Sequence, residues 1–337
     1  MSRWFTIHLG VRINRFFAIG LCGIVLFLIG CSGESKSDQS NPSSSSKGFN
    51  QSSGRTLAEA RKGWTTQPQM IAEEKTPLPN PPGNLFLKGT YNSPIGKLAA
   101  YLSPNPNDGK KHPLIIWITG GDCNSIDDGC WTEGPPNNEQ SASAYRKAGL
   151  LMMFPSLRGG NQNPGRKEGF YGEVDDVIAA AEYIAKIPYV DPNRIYLGGH
   201  STGGTMVLLA SELSNKFRAV FSFGPADDVR GYPAEYIPFN TRIENEWKLR
   251  SPGYWLHSIQ SPTFVLEGTD GNRDSLLKMK KENSNPNAHF FLVEGASHFS
   301  ILGPINNFLA KKIMQDTGPR CNIQITDAEL KQALRSR

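Results

Sequence analysis

From residue 85 onward, short continuous apolar runs alternate with stretches in which apolar side chains recur every three to four positions. These are the periods of buried strands and amphipathic helices. Segments 85–91 and 97–102 flank an Asn-Ser-Pro-Ile-Gly turn and read as an antiparallel pair. Segment 112–119, built on Leu114-Ile115-Ile116-Trp117, suits a strand covered on both faces. A helix at 141–148, a strand at 150–154 and an amphipathic helix at 172–187 follow, the last with apolar residues at 174, 177, 178, 181, 184 and 185. The alternation continues with strands at 194–197, 219–223, 263–267 and 289–293 and helices at 202–213, 275–281 and 305–315. A capping box of Thr326 and Glu329 opens a closing helix. Apolar strands alternating with helices predict an α/β fold, a mostly parallel sheet with helices on both faces. Segment 225–261, with Pro233, Pro238, Trp247, Tyr254 and Trp255, interrupts the pattern and reads either as an insertion over a site or as a packed surface loop.

The pattern before residue 85 is different. Residues 1–15 are polar and basic, and residues 16–30, FFAIGLCGIVLFLIG, carry no charge. This run is shorter than the roughly 20 residues that span a bilayer and fits the apolar region of a secretory signal. It ends in Leu28-Ile29-Gly30-Cys31, which resembles a bacterial lipobox. The resemblance implies that Cys31 is acylated, becomes the first mature residue and tethers an exported domain to the envelope, with Ser32 pointing to the outer membrane, facing periplasm or surface. An uncleaved anchor or a plain signal peptide are the alternatives. Residues 32–54 hold ten Ser, three Gly and one aromatic residue and read as a flexible tether. A short helix is expected over 55–70 and an extended, Pro-stiffened segment at 76–83. The expected organisation is therefore a signal (1–30), a lipidated Cys and tether (31–54), an N-terminal extension (55–84), an α/β domain (85–320) and a C-terminal helix (321–337).

Charge changes this picture little. The formal net charge is +5, and Arg3, Arg12 and Arg15 fall in the expected signal, leaving about +2 afterwards. So small a surplus gives no case for nucleic-acid binding. Of the five cysteines, Cys22 leaves with the signal and Cys31 takes the lipid. Cys123 and Cys130, seven positions apart, are a candidate disulfide in an oxidising compartment, with Cys321 left over. No CxxC or HExxH occurs, so no metal is expected.

The chemistry centres on Gly199-His200-Ser201-Thr202-Gly203, a G-x-S-x-G between a predicted strand and a predicted helix. Such a turn holds a nucleophilic serine out of the sheet, and the amide of Thr202 at the helix start can face a developing oxyanion. A serine hydroxyl needs a base. His298, separated by four residues from a predicted strand, is the candidate; His8, His112, His200, His257 and His289 lie in the signal, in strands, within the turn or in the irregular segment. The acid is expected after the strand ending at Gly268, where Asp270 is favoured, Asp274 is the alternative and Asp227 or Asp228 a third option. A second oxyanion donor is expected from Gly120-Gly121, with Gly121 the candidate residue.

These residues resemble the α/β-hydrolase superfamily, and within it the catalytic domain of prolyl-oligopeptidase-like (peptidase S9-type) serine hydrolases. The likeness rests on the elbow, on Asp175-Asp176 leading into Pro188–Ile195, on Pro155-Ser156-Leu157-Arg158-Gly159-Gly160, and on the strand from Ser261 to Gly268, and it covers roughly 85–315. It implies Ser201 as nucleophile, His298 as base and Asp270 as its orienting acid, with hydrolysis of an ester or peptide bond through an acyl-enzyme and no cofactor. The expected partners are a small ester or peptide substrate and, through the lipid anchor, a membrane. A carboxylesterase or dienelactone-hydrolase-like esterase, or a binding lipoprotein on the same scaffold, are the alternatives. The family carries a propeller or other N-terminal domain, for which residues 55–84 are too few. Its Gly-x-x-Asp acid loop is one residue shorter here, at Gly268-Thr269-Asp270.

Overall fold

The computed structural model describes residues 54–69 and 75–335. The expected signal, Cys31 and nearly all of the tether lie outside the described residues. One sheet is built from β1 (Leu87–Ser93), β2 (Gly96–Leu102), β3 (His112–Ile118), β4 (Leu151–Pro155), β5 (Val190–His200), β6 (Val220–Phe223), β7 (Thr263–Asp270) and β8 (Ala288–Ser297). Their spatial order is β1-β2-β4-β3-β5-β6-β7-β8. The β1–β2 hairpin, closed by the Ser93 and Gly96 pairing, and the β2–β4 contact are antiparallel; the other neighbours run parallel. The helices are α1 (Leu57–Arg61), α2 (Ser143–Lys147), α3 (Gly172–Ile184), α4 (Thr202–Leu213), α5 (Glu244–Lys248), α6 (Arg273–Glu282), α7 (Leu302–Gln315) and α8 (Asp327–Arg335).

The two-residue period of the strands divides the core. Leu114, Ile116 and Ile118 of β3 pack with Val174 and Val177 of α3 and Met206 and Val207 of α4. Ile115 and Trp117 point the other way, joining Tyr145 of α2, Ile305 and Leu309 of α7 and Leu330 of α8. The sheet is thus covered on both faces, which is why runs such as Leu114–Ile118 of β3 and Leu151–Phe154 of β4 are apolar at successive positions.

Local chemistry sets the departures from expectation. The helix expected over 55–70 is only α1: Thr56 and Glu59 cap it reciprocally, and Gly63, with φ +76°, ends it. Strand β5 begins at Val190 rather than 194, because a register irregularity between His112 and Leu114 of β3 accommodates Pro192. Segment 225–261 is a packed loop, with Val229, Phe239, Leu249 and Trp255 buried in the first core cluster.

Cys123 and Cys130 are not bridged. Both are free and buried, and they belong to clusters on opposite faces of the sheet. Burial pushes both thiols up in pKa, and Cys321 is raised to about 11 for the same reason. Among the described residues no helix is long and apolar enough to cross a membrane.

The segment before β1 is stitched onto this body. Leu57 is fully buried and its amide donates to Ser258 Oγ (3.1 Å). Thr66 Oγ1 and the Gln67 amide donate to Glu246 (2.9 and 3.0 Å), itself paired with Arg250 out of contact with solvent. Further along, the carbonyls of Thr76 and Pro79 accept from Asn161 Nδ2 and Tyr101 Oη (3.4 and 2.8 Å).

Candidate active site

Strand β5 ends at His200 and helix α4 begins at Thr202, leaving Ser201 alone at the corner with φ 58° and ψ −116°. A non-glycine residue rarely adopts positive φ, so the turn stores strain that its surroundings must hold. The flanking glycines explain how it fits. A Cβ on Gly199 would lie 2.5 Å from the Gly203 carbonyl oxygen, and one on Gly203 would lie 2.3 Å from that of Ile118. The Ser201 amide donates to the Phe223 carbonyl at the end of β6 (2.8 Å), and Thr205 returns its amide to the Ser201 carbonyl (2.9 Å).

His298 follows β8. Its amide donates to the Asp270 carbonyl (2.7 Å), and its Nδ1 lies 2.8 Å from Glu267 Oε2. Gly224, next to the residue that binds the Ser201 amide, closes the gap between the two parts: a Cβ there would lie 2.4 Å from His298 Cε1 and 2.7 Å from Glu267 Oε2. The rings of His200 and His298 are 4.5 Å apart. The elbow and the histidine loop therefore meet at the carboxyl ends of the central parallel strands.

The carboxylate on His298 is Glu267, not Asp270 or Asp274. Glu267 has no exposed surface, and it also accepts the amides of Gly268 (2.6 Å) and Asn272 (2.9 Å). Asp270 meets His298 only through its backbone, and its side chain is exposed; Asp274 is exposed in the first turn of α6. Asp227 is engaged by Ser275 and Lys278, and Asp228 by Arg230. The reason is topological: β7 runs on through Asp270, pairing it with Ser297, so the backbone there is spent on strand pairing while Glu267, three residues earlier, faces the histidine. The available signal was a carboxylate directly after the apolar run Phe264-Val265-Leu266 within a predicted strand, since a buried charge needs a partner. With Nδ1–H given to Glu267, the His298 lone pair is on Nε2.

The loop after β3 faces the elbow. Gly121 has φ +71°, and the Thr202 hydroxyl donates to its carbonyl (2.8 Å), fixing the glycine turn against the start of α4. Thr202 is the first residue of α4, so its amide has no intrahelical acceptor. Asn124, further along this loop, donates to the Arg158 carbonyl (2.8 Å), and Arg158 pairs with Asp176 (2.9 Å) and Glu168 (2.7 Å). Two stretches singled out from the sequence thus brace the same wall.

A cavity of about 650 Å³ opens on Ser201. Its lining includes Gly120 and Gly121, the carboxylates of Asp122 and Asp127, and the exposed ring of Phe299, and it contains no lysine or arginine. Thr76 and Pro79 of the N-terminal extension form part of the wall. Lys167 pairs with Asp122 (2.8 Å), whereas the exposed side chain of Asp127 accepts the Gly129 amide (2.9 Å). Among the described residues no group of three or more His, Cys, Asp or Glu is arranged to hold a metal ion.

Comparison with known proteins bears on the family and the fold. Residues 137–269 match the Prolyl oligopeptidase family. The chain is 30% identical over 176 residues to a probable dipeptidyl-aminopeptidase B of Arthroderma otae, covering 49% of this chain and 18% of that protein. It is 26% identical over 211 residues to S-formylglutathione hydrolase of Bos taurus, covering 54% of this chain and 71% of that protein. The chain thus spans under a fifth of the dipeptidyl-aminopeptidase and most of the smaller hydrolase. The crystal structure of Porphyromonas gingivalis dipeptidyl peptidase 4 superposes with a TM-score of 0.54 at 19% identity, covering 69% of this chain and 35% of that one. The fold is that of the α/β-hydrolases.

Proposed function

We propose that this protein is a serine hydrolase that cleaves an ester or a peptide bond through an acyl-enzyme, with Ser201, His298 and Glu267 as its triad. The observation that carries the reading is the strained Ser201 corner, whose neighbour His200 packs its ring 4.5 Å from that of His298, the histidine whose Nδ1 is held by a fully buried carboxylate. His298 Nε2 takes the proton of Ser201 Oγ as Oγ attacks the substrate carbonyl carbon, and Glu267 stabilises the imidazolium. The oxyanion faces the amide of Thr202 and that of the Gly120–Gly121 turn; one such donor contributes about 10²–10³ in rate. The intermediate collapses as His298 gives its proton to the leaving group. Water then repeats the sequence on the acyl-Ser201 ester and restores the free hydroxyl.

Likeness to a dipeptidyl-aminopeptidase supports a peptide bond, and likeness to S-formylglutathione hydrolase supports a non-peptide acyl compound. The cavity favours a small substrate without negative charge, because Asp122 and Asp127 line it and no lysine or arginine does. The test is pre-steady-state hydrolysis of p-nitrophenyl esters beside aminoacyl p-nitroanilides. The expected result is a burst of one p-nitrophenol per chain with a neutral ester, weaker turnover of an anionic ester of equal length, and loss of both in Ser201→Ala. Turnover undiminished in Ser201→Ala would refute the reading.

We further propose that Cys31 is lipidated and tethers the domain to the bacterial envelope, on the strength of the Leu28-Ile29-Gly30-Cys31 sequence and the Ser-rich stretch behind it. Full-length protein expressed in a Gram-negative host should fractionate with membranes and Cys31→Ser should not; equal fractionation of the two would contradict it.

A further inference from the structure

His200 lies within the elbow, where its surroundings give it work. It is buried, its Nε2 lies 2.9 Å from the carbonyl oxygen of His298, and its Nδ1 lies 3.2 Å from Oε1 of Gln140. Its ring packs against that of His298 at 4.5 Å and 42°, and Phe299 sets its edge against both imidazoles, at 5.6 and 5.1 Å. The carbonyl of His298 can only accept, so His200 Nε2 carries the proton in that bond.

We propose that His200 is a positioning residue for His298: through its Nε2–H bond to the His298 carbonyl and its ring contact, it sets the base in register with the nucleophile one position away. The inference rests on the reading of Ser201 and His298 as nucleophile and base. His298 is then held at three points. Asp270 takes its amide, His200 holds its carbonyl and Glu267 holds Nδ1, which leaves Nε2 as the one polar atom free to act. The second of these bonds joins residues 98 apart in sequence, and it runs from the corner that carries Ser201. Any shift of the elbow therefore moves the base with it, and the distance between the two is kept.

The choice of a histidine has an electrostatic side. Burial, followed by the neighbouring His298, holds His200 down to about 3, so it is neutral wherever a histidine base works. A lysine or arginine in this position would set a fixed positive charge against the imidazolium that forms on His298. A neutral ring supplies the donor without that repulsion.

The experiment compares His200→Phe, which keeps a ring and loses the donor, with His200→Gln, which keeps an N–H near the position of Nε2. Each is measured by kcat and KM on a p-nitrophenyl ester, by the pH profile of kcat/KM, and by the rate constant and final stoichiometry of fluorophosphonate labelling. In His200→Phe, kcat and the labelling rate should fall together by about 10²-fold, the scale of a base misplaced by about 1 Å. KM should stay within about threefold and labelling should still reach one adduct per chain, which shows an intact fold. The acid limb of the profile should move in His200→Phe and return in His200→Gln, along with most of the rate. Wild-type rates in His200→Phe, or equal damage in the two variants, would overturn the inference. If the wild-type chain itself takes no label, the reading of Ser201 fails instead, and the two failures are distinguished.

Discussion

At the scale of single residues, the identity of the acid decides how the site works. A glutamate on the strand reaches His298 where an aspartate three residues later does not, and two backbone amides hold its carboxylate toward the ring. Glu267→Gln keeps the shape but favours the wrong imidazole tautomer, and kcat should fall by about 10³–10⁴. Asp270→Asn and Asp274→Asn, which leave that bond intact, should stay within about threefold, a margin typical of exposed side chains. Steady-state kinetics on one ester checks all three. The corner that carries Ser201 and the position of His298 at the end of a strand were legible in the sequence because each follows an apolar run and a glycine. The acid was not, because the eye looks for it in the loop beyond Gly268, and nothing in the spacing tells whether β7 stops there or continues to Asp270.

At the scale of elements, helix α4 serves two masters. Its first turn carries Thr202 and the elbow, while its last carries Glu212, a buried carboxyl whose two oxygens have no partner among the described residues. Burial raises the pKa of Glu212 well above its ordinary value. The folded chain therefore keeps a proton that the unfolded chain releases above about 4.5, and stability declines as pH rises from there toward the folded pKa. Glu212→Met fills the same space without a proton to lose. It should raise the melting temperature clearly at pH 8 and little at pH 4, and thermal unfolding at the two values is the check; an equal gain at both would refute the assignment. The strands and helices themselves were readable from periodicity. The errors fell where one residue controls a boundary, at Gly63, which stops α1, and at Pro192, which β5 tolerates only beside an irregular register. The expected Cys123–Cys130 bridge failed for a related reason: closeness in sequence said nothing about which face of the sheet each thiol enters.

At the scale of the whole molecule, the N-terminal extension is part of the site. It is pinned by the buried Arg250 and Glu246 pair and reaches the cavity at Thr76 and Pro79. Glu246→Ala leaves Arg250 buried without its partner, a loss of about 3–5 kcal/mol. Limited proteolysis should then cut within residues 63–69 well before the body of the domain, and the substrate preference of the cavity should relax; a cleavage pattern identical to wild type would argue against the clamp. No periodicity marks this stretch, and what orders it is a handful of bonds to residues far along the chain, which the sequence pattern alone does not reveal.

The central claim is that Ser201 is a nucleophile activated by His298 and Glu267. Its most direct test is the position and rate of fluorophosphonate attachment to the folded protein, read by peptide mass spectrometry. One adduct on Ser201, formed rapidly at neutral pH and slowed by orders of magnitude in Glu267→Gln but not in Asp270→Asn, is the predicted result. Attachment elsewhere, or labelling that survives Glu267→Gln and collapses in Asp270→Asn, would contradict it.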